Sequence, residues 1–289
     1  MTTPGADAAT PFPDDATRLP STNLPSTSLP TANLPTANLP DDAAAQTGPL
    51  ALVGSGEYLP VLEPLERALL AGRAPRYVQL ATAAAPEGPE SLDRWHTLGA
   101  QAARRLGVEQ VVVPVVDRDS ADDPANAAMV EGAGLIYLSG GNPSFLAETL
   151  RGTAVWTAII AAWRTGSALA GCSAGAMAMS ASLPDIRRPW RPALDGLALV
   201  PTVEVLPHFD KFASWMPDLV LKRVSGAPAG VTVVGIDEDT ALVGGLTPHG
   251  WSAVPAGRGT TWQVVGRQSV WLLTETGRQE VSTGTTTTL

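Results

Sequence analysis

The chain has 289 residues, 44% of them hydrophobic, enough for a sizeable core in one large domain or two small ones. Its 28 Asp and Glu against 19 Lys and Arg leave a net charge of −9 at pH 7, which argues against nucleic acid or an anionic membrane as partner. One cysteine excludes an internal disulfide, no stretch approaches the about 18 apolar residues of a membrane span, and the first residues lack the basic and apolar regions of a signal peptide, so the expected location is cytoplasmic.

Residues 1–48 are rich in Pro, Ser, Thr, Asp and Ala. Leu19 to Pro40 repeats every five residues as LPSTN, LPSTS, LPTAN, LPTAN. Proline at every fifth position denies the segment helix and ladder hydrogen bonds, and its apolar mass is too small for a core. The expectation is a disordered leader over 1–48, followed by a single α/β domain over 49–289.

The folded part opens with a predicted strand, Leu50 to Val53, running into Gly54-Ser55-Gly56-Glu57. Helix Val61–Ala71 closes at Gly72, strand Tyr77–Leu80 follows, and helix Leu92–Leu106 closes at Gly107. A valine-rich strand, Val111 to Val116, suggests burial on both faces, but Pro114 counts against a fully central place. After an acidic loop (117–124) come a short helix, Ala125–Glu131, and a strand, Leu135–Leu138, that ends in Ser139-Gly140-Gly141-Asn142-Pro143. Helices Ser144–Leu150 and Ala154–Arg164 precede a fifth short strand from Ser167 to Ala170. Such alternation predicts a mostly parallel sheet with helices on both faces, whose sites lie beyond the carboxyl ends of the strands. Beyond residue 200 the pattern changes to strands at 200–206, 231–236, 240–243, 261–265 and 270–273, with a helix at 215–224 and a frayed tail from Gly284. These later strands read as a small antiparallel C-terminal extension.

The fifth strand leads into Gly171-Cys172-Ser173-Ala174-Gly175 and a small-residue helical run. A G-x-S-x-G between strand and helix is the nucleophile elbow: a sharp turn, with small residues on both sides, lifts the serine clear of the sheet at a helix N-terminus. Only residue 173 has a glycine two before and two after, so Cys172 reads as a small buried filler. Serine needs a base, and there are three histidines. His208 follows a strand end beside Pro207 and is favoured over His96, in a helix, and His249, in an exposed turn. The acid that orients it is sought between Ser173 and His208. Asp185, in a loop after the elbow helix, is chosen. Glu204 is kept in reserve because its alternation with Val203 and Val205 also fits a solvent-facing strand position, and Asp195 reads as a turn residue. Ala174 N–H supplies one oxyanion donor and Gly141 the second, with Asn142 placed to touch substrate; a turn capping the next helix would use the same residues. The loop at Gly54 lacks the full G-x-G-x-x-G, since residue 59 is Leu, which makes Glu57 a candidate for lining the pocket and meeting a substrate amine. No cluster has metal-ligand spacing, and neither a metal nor a cofactor is expected.

Four segments in this order, SGGNPSFLAETL, AGCSAGAMAMS, LPHFD and GIDEDTALV, resemble the dipeptidase E and cyanophycinase family of serine peptidases over about residues 50–275. The resemblance implies a fold similar to the class I glutamine amidotransferases, with Ser173 as nucleophile, His208 as base, Gly141 and Ala174 as oxyanion donors, and an acid between Ser173 and His208. It also implies cleavage of small peptides with an N-terminal aspartate, or of β-aspartyl links. Aspartate recognition in the family uses an arginine after the histidine; here the first basic pair is Lys222-Arg223. The rival readings are an α/β-hydrolase esterase, which lacks its HGGG-type segment here, and a non-catalytic binding protein on the same fold. The expected partner is a small peptide substrate; a homodimer is left open.

Overall fold

The computed structural model describes residues 47–184, 193–211, 226–227, 229–244, 246–247, 250–251, 261–274 and 277–289. The leader, apart from residues 47–48, lies outside these, as do the helix expected over 215–224, the pair Lys222-Arg223, Asp185 and His249.

The first half alternates as the sequence predicts: β1 (Leu50–Val53), α1 (Glu63–Leu70), β2 (Arg76–Leu80), α2 (Pro89–Leu106), β3 (Glu109–Val112), α3 (Arg118–Asp122), α4 (Pro124–Ala128), β4 (Leu135–Leu138), α5 (Pro143–Leu150), α6 (Ala154–Arg164), β5 (Ala168–Cys172) and α7 (Ala174–Ala178). A short pair, β6 (Ser182–Leu183) and β7 (Leu194–Asp195), precedes β8 (Val203–Leu206), β9 (Thr232–Ile236) and β10 (Thr240–Gly244). The last elements are a second short pair, β11 (Leu246–Thr247) and β12 (Gly250–Trp251), then β13 (Thr261–Gly266), β14 (Ser269–Thr274), β15 (Gly277–Ser282) and β16 (Thr286–Thr288).

The main sheet has eight strands in the order β16-β13-β10-β1-β5-β4-β2-β3. Its β1-β5-β4-β2-β3 part is parallel, and β10, β13 and β16 extend it antiparallel. A second sheet, β15-β14-β9-β8, is antiparallel except for the parallel pair β8–β9. The antiparallel extension is therefore present, but it is divided between two sheets. The tail does not fray: Thr286–Thr288 pairs with β13.

Strand alternation divides the core in two. Leu50, Leu52, Val78, Leu80, Ile136, Leu138 and Leu169 face α5, α6 and α7, while Ala51, Val53, Tyr77, Tyr137, Ala168, Ala170 and Cys172 face α1 and α2. Helices thus cover both faces, which is why β1, β4 and β5 are apolar at every position, while β2 carries Arg76 and the buried Gln79. Each fully buried leucine contributes about 1.5–3 kcal/mol.

Three departures have local causes. The third strand ends at Val112, before Pro114, and lies at the sheet edge, with Val113 and Val115 buried and Pro114 and Val116 exposed. The expected acidic loop forms α3, because Asp117 accepts the Ser120 N–H at 2.8 Å and Ser120 Oγ accepts the Asp117 N–H at 3.0 Å, a reciprocal cap. Helix α2 begins at Pro89 rather than Leu92, since proline at the first helical position forgoes an N–H that would have no partner there. Among the described residues no helix is long and apolar enough to cross a membrane.

One of the buried acids lies on the inner face of α1. Glu66 is 1% exposed, accepts the Tyr77 hydroxyl at 3.1 Å, and is pushed up by burial to about 7. Its folded pKa lies above the unfolded value of 4.5, so the native state holds the proton more tightly. Stability should fall as pH rises from about 4.5 to about 7, by on the order of 3 kcal/mol from this group, and stay lower above that range. Glu66→Gln keeps an acceptor for Tyr77 and cannot ionise. Denaturant midpoints from pH 4.5 to 8 should slope less in this variant and end higher at pH 8; parallel slopes would refute the account.

Candidate active site

Strands β1, β5 and β4 are parallel neighbours, so the three Gly-bearing loops at their carboxyl ends converge. The elbow stands at the middle one. Ser173 has φ 49° and ψ −109°, a conformation that a non-glycine residue adopts only when its surroundings impose it. Those surroundings are tight. The Ser173 N–H is bonded to Val53 O at 2.9 Å, a side chain at Gly171 would meet Gly175 carbon at 2.5 Å, and one at Gly175 would meet Leu138 O at 2.2 Å. The flanking glycines let α7 fold back against β5 and β4, and that return holds the serine in its strained turn.

The second sheet brings the partners. His208 follows β8 by two residues, and Glu238 follows β9 by two residues; β8 and β9 are parallel and paired Val205 with Val234. Counted from that pair His208 is three residues on and Glu238 four, and the turns beyond these neighbouring strands bring the two side chains together. Ser173 Oγ lies 3.1 Å from His208 Nε2, and His208 Nδ1 lies 3.0 Å from Glu238 Oε1. His208 also has positive φ, 52°, in the turn after Pro207. The Glu238 N–H donates to Asp210 Oδ1 at 3.0 Å, and the Gln268 amide donates to the Glu238 carbonyl at 3.0 Å, so the carboxylate's backbone is tied on both sides. The hydrogen bond from His208, then the nearby charges of His208 and Lys211, hold the Glu238 carboxyl below the usual range.

The carboxylate at His208 is therefore outside the interval searched in the sequence. Asp185 lies outside the described residues, and the Nδ1 position assigned to it is met by Glu238. Glu204 does not face solvent: it is 1% exposed and accepts the Ser182 hydroxyl at 2.9 Å. Asp195 is at the end of β7, and His96 lies in α2, where burial lowers its pKa. The available signal for Glu238 was its place two residues beyond an apolar strand in GIDED, the same offset that singles out His208.

The donor loops are placed as follows. Ala174 opens α7, so its N–H has no acceptor within the helix. Gly141 is exposed, with φ 133°, and sits where a side chain would meet Ala83 O at 2.4 Å. Asn142 caps α5, accepting the Phe145 N–H at 3.0 Å. Cys172 is fully buried, and its thiol is pushed up first by burial and then by Glu57. Glu57, expected in the pocket, is 7% exposed and has both oxygens engaged: Oε1 accepts the Gly140 N–H at 3.0 Å and Oε2 accepts the Cys172 thiol at 2.7 Å. Among the described residues no group of three His, Cys, Asp or Glu side chains could hold a metal ion.

A serine on a strained strand-to-helix turn, linked through histidine to a carboxylate at the carboxyl ends of a parallel sheet, is the arrangement of a serine hydrolase. The model of peptidase family S51 matches residues 50–244, and the chain belongs to that family. It is thus a serine peptidase. The crystal structure of a peptidase from an acI-B1 Actinobacterium is 39% identical, with a TM-score of 0.75 over 85% of this chain and 98% of its own. A putative peptidase E protein from Listeria monocytogenes EGD-e is 20% identical, with a TM-score of 0.49 over 68% of this chain and 94% of its own. No curated protein matches the chain.

The Glu238 shift has a pH signature. A carboxyl lowered in the folded state contributes stability above its unfolded pKa of 4.5, and loses that contribution as pH falls through the lowered native value. Glu238→Gln should flatten the acid limb of the stability curve below pH 4.5 and leave its shape at neutral pH unchanged. Thermal midpoints between pH 3 and 7 measure this, and an unaltered acid limb would contradict it.

Proposed function

We propose that the protein hydrolyses short peptides through a Ser173–His208–Glu238 triad and an acyl-enzyme. The carrying observation is the continuous hydrogen-bonded chain, 3.1 Å from Ser173 Oγ to His208 Nε2 and 3.0 Å from His208 Nδ1 to Glu238 Oε1. His208 takes the serine proton as Oγ attacks the scissile carbonyl, and the imidazolium is stabilised by Glu238. The tetrahedral oxyanion accepts hydrogen bonds from the N–H groups of Ala174 and Gly141. As the C–N bond breaks, His208 gives its proton to the leaving amine. A water then enters, gives a proton to His208 and adds to the acyl carbon, and the proton returns to Ser173 Oγ as the acid product leaves.

A short substrate is favoured by the surroundings of the triad. Asp210, Glu238 and Asp239 lie around it, with Lys211 and Arg267 as basic neighbours among the described residues, which leaves an acidic rim suited to a free peptide ammonium. The finer expectation, an N-terminal aspartate or a β-aspartyl link, rests on the motif resemblance. The first basic pair after His208, Lys222-Arg223, lies outside the described residues.

The test is hydrolysis of X-Leu dipeptides, with X as Asp, Glu, Ala or Arg, and of β-Asp-Arg. Wild type should cleave at least one, and the best X names the pocket. Ser173→Ala and His208→Ala should each lower kcat by about 10³-fold or more, and Glu238→Ala by about 10²- to 10⁴-fold. Turnover that persists in Ser173→Ala, or wild type inert on the whole panel, would reject the reading.

A further inference from the structure

Glu57 is a buried carboxylate at the centre of the site with no part in proton transfer. It ends the loop after β1, and three features of its surroundings coincide. Its Oε1 accepts the N–H of Gly140, the residue before one oxyanion donor, at 3.0 Å. Its Oε2 accepts the thiol of Cys172, the residue before the nucleophile, at 2.7 Å. Gly140 is itself against the nucleophile: a side chain there would lie 3.5 Å from Ser173 Cβ and 2.8 Å from Glu57 Oε1.

The same loop touches the turn that carries the acid. A side chain at Gly54 would stand 2.2 Å from Asp237 O, and one at Gly56 would stand 2.4 Å from Asp239 Oδ1. The Gly54 N–H is bonded to Thr240 O at 2.9 Å. These two glycines therefore serve close approach to the Asp237–Thr240 turn, not the cradling of a phosphate. Glu57 leaves this contact and reaches the ends of β4 and β5 together.

We propose that Glu57 is a positioning residue that holds the two oxyanion donors, Gly141 N–H and Ala174 N–H, at a fixed separation about the nucleophile. The proposal rests on the triad reading above. One side chain clamps both walls of the oxyanion site, through Gly140 next to Gly141 and through Cys172 two residues before Ala174. Oxyanion stabilisation requires donors already at the position where charge develops, and a displacement of about 1 Å costs on the order of 100-fold in rate. Because the clamp acts on donors used in the transition state, its loss lowers kcat and leaves KM nearly unchanged. In Glu57→Gln the amide oxygen can accept the Gly140 N–H and the amide NH2 can donate to Cys172 Sγ in place of accepting its thiol proton, whereas an apolar side chain of similar size makes neither bond.

The experiment compares full-length wild type, Glu57→Met, Glu57→Gln and Glu57→Asp on the best dipeptide of the panel. The same set is measured for the rate of Ser173 labelling by a fluorophosphonate, which uses the oxyanion donors with no peptide present. Glu57→Met should lose about 10- to 100-fold in kcat and in labelling rate, with KM within about twofold. Glu57→Gln should recover to within about threefold of wild type. Glu57→Asp, one methylene too short to reach both partners, should lose activity as Met does, and it decides the matter if Met does not fold. Unchanged labelling in the loss variants, a loss confined to KM, or a Gln variant as impaired as Met would overturn the proposal. Wild type that labels at Ser173 but cleaves no peptide would defeat the functional reading, and the labelling series would still decide the role of Glu57.

Discussion

The site depends on one backbone constraint, Ser173 held at φ 49° and ψ −109°. A residue there costs about 1–3 kcal/mol relative to relaxed backbone, so the fold must over-determine it. It does so with ordinary means. The Ser173 N–H is fixed to Val53 O, α7 lies against β5 through facing glycines, and β5 is buried on both faces between β1 and β4. The strain is local, and its compensation is spread over the apolar centre of the sheet.

The catalytic groups divide between two sheets. In the proposed triad, Ser173 and the donors Gly141 and Ala174 belong to the parallel β1-β5-β4 unit, while His208 and Glu238 follow the β8–β9 pair. Within each half the members follow adjacent parallel strands, which sets their spacing. What must be matched is one half to the other. The Gly54–Glu57 loop and β10, which continues from the Glu238 turn into the main sheet beside β1, make that match. Asp210 and Gln268 then fix the acid from the far side.

Legibility in the sequence followed contact range. The elbow could be read because its requirements lie within five residues, and β1, β4 and β5 because apolar runs between glycines have few alternatives. His208 could be read because few histidines compete. Glu238 could not be found by looking between serine and histidine, since its place is set by parallel pairing of two strands separated by a long excursion of chain. Glu204 misled for a related reason: alternation with valines signals solvent only where one sheet face is bare, and this face is covered. Glu57 has the ordinary look of a loop carboxylate, and only the convergence of three strand ends reveals its burial.

The antiparallel insertion of β10 beside β1 has a consequence for how the enzyme comes into being. Strand β1 is the first among the described residues, yet its lateral partners are the later-made β5 and the much later β10. During synthesis a ribosome-bound chain can complete the elbow while the acid and its strand are still unmade. Closing such a sequence-distant pairing is slow relative to local helix formation. The Glu238 turn, between β9 and β10, therefore follows every strand of the parallel β1-β5-β4-β2-β3 unit in the order of synthesis.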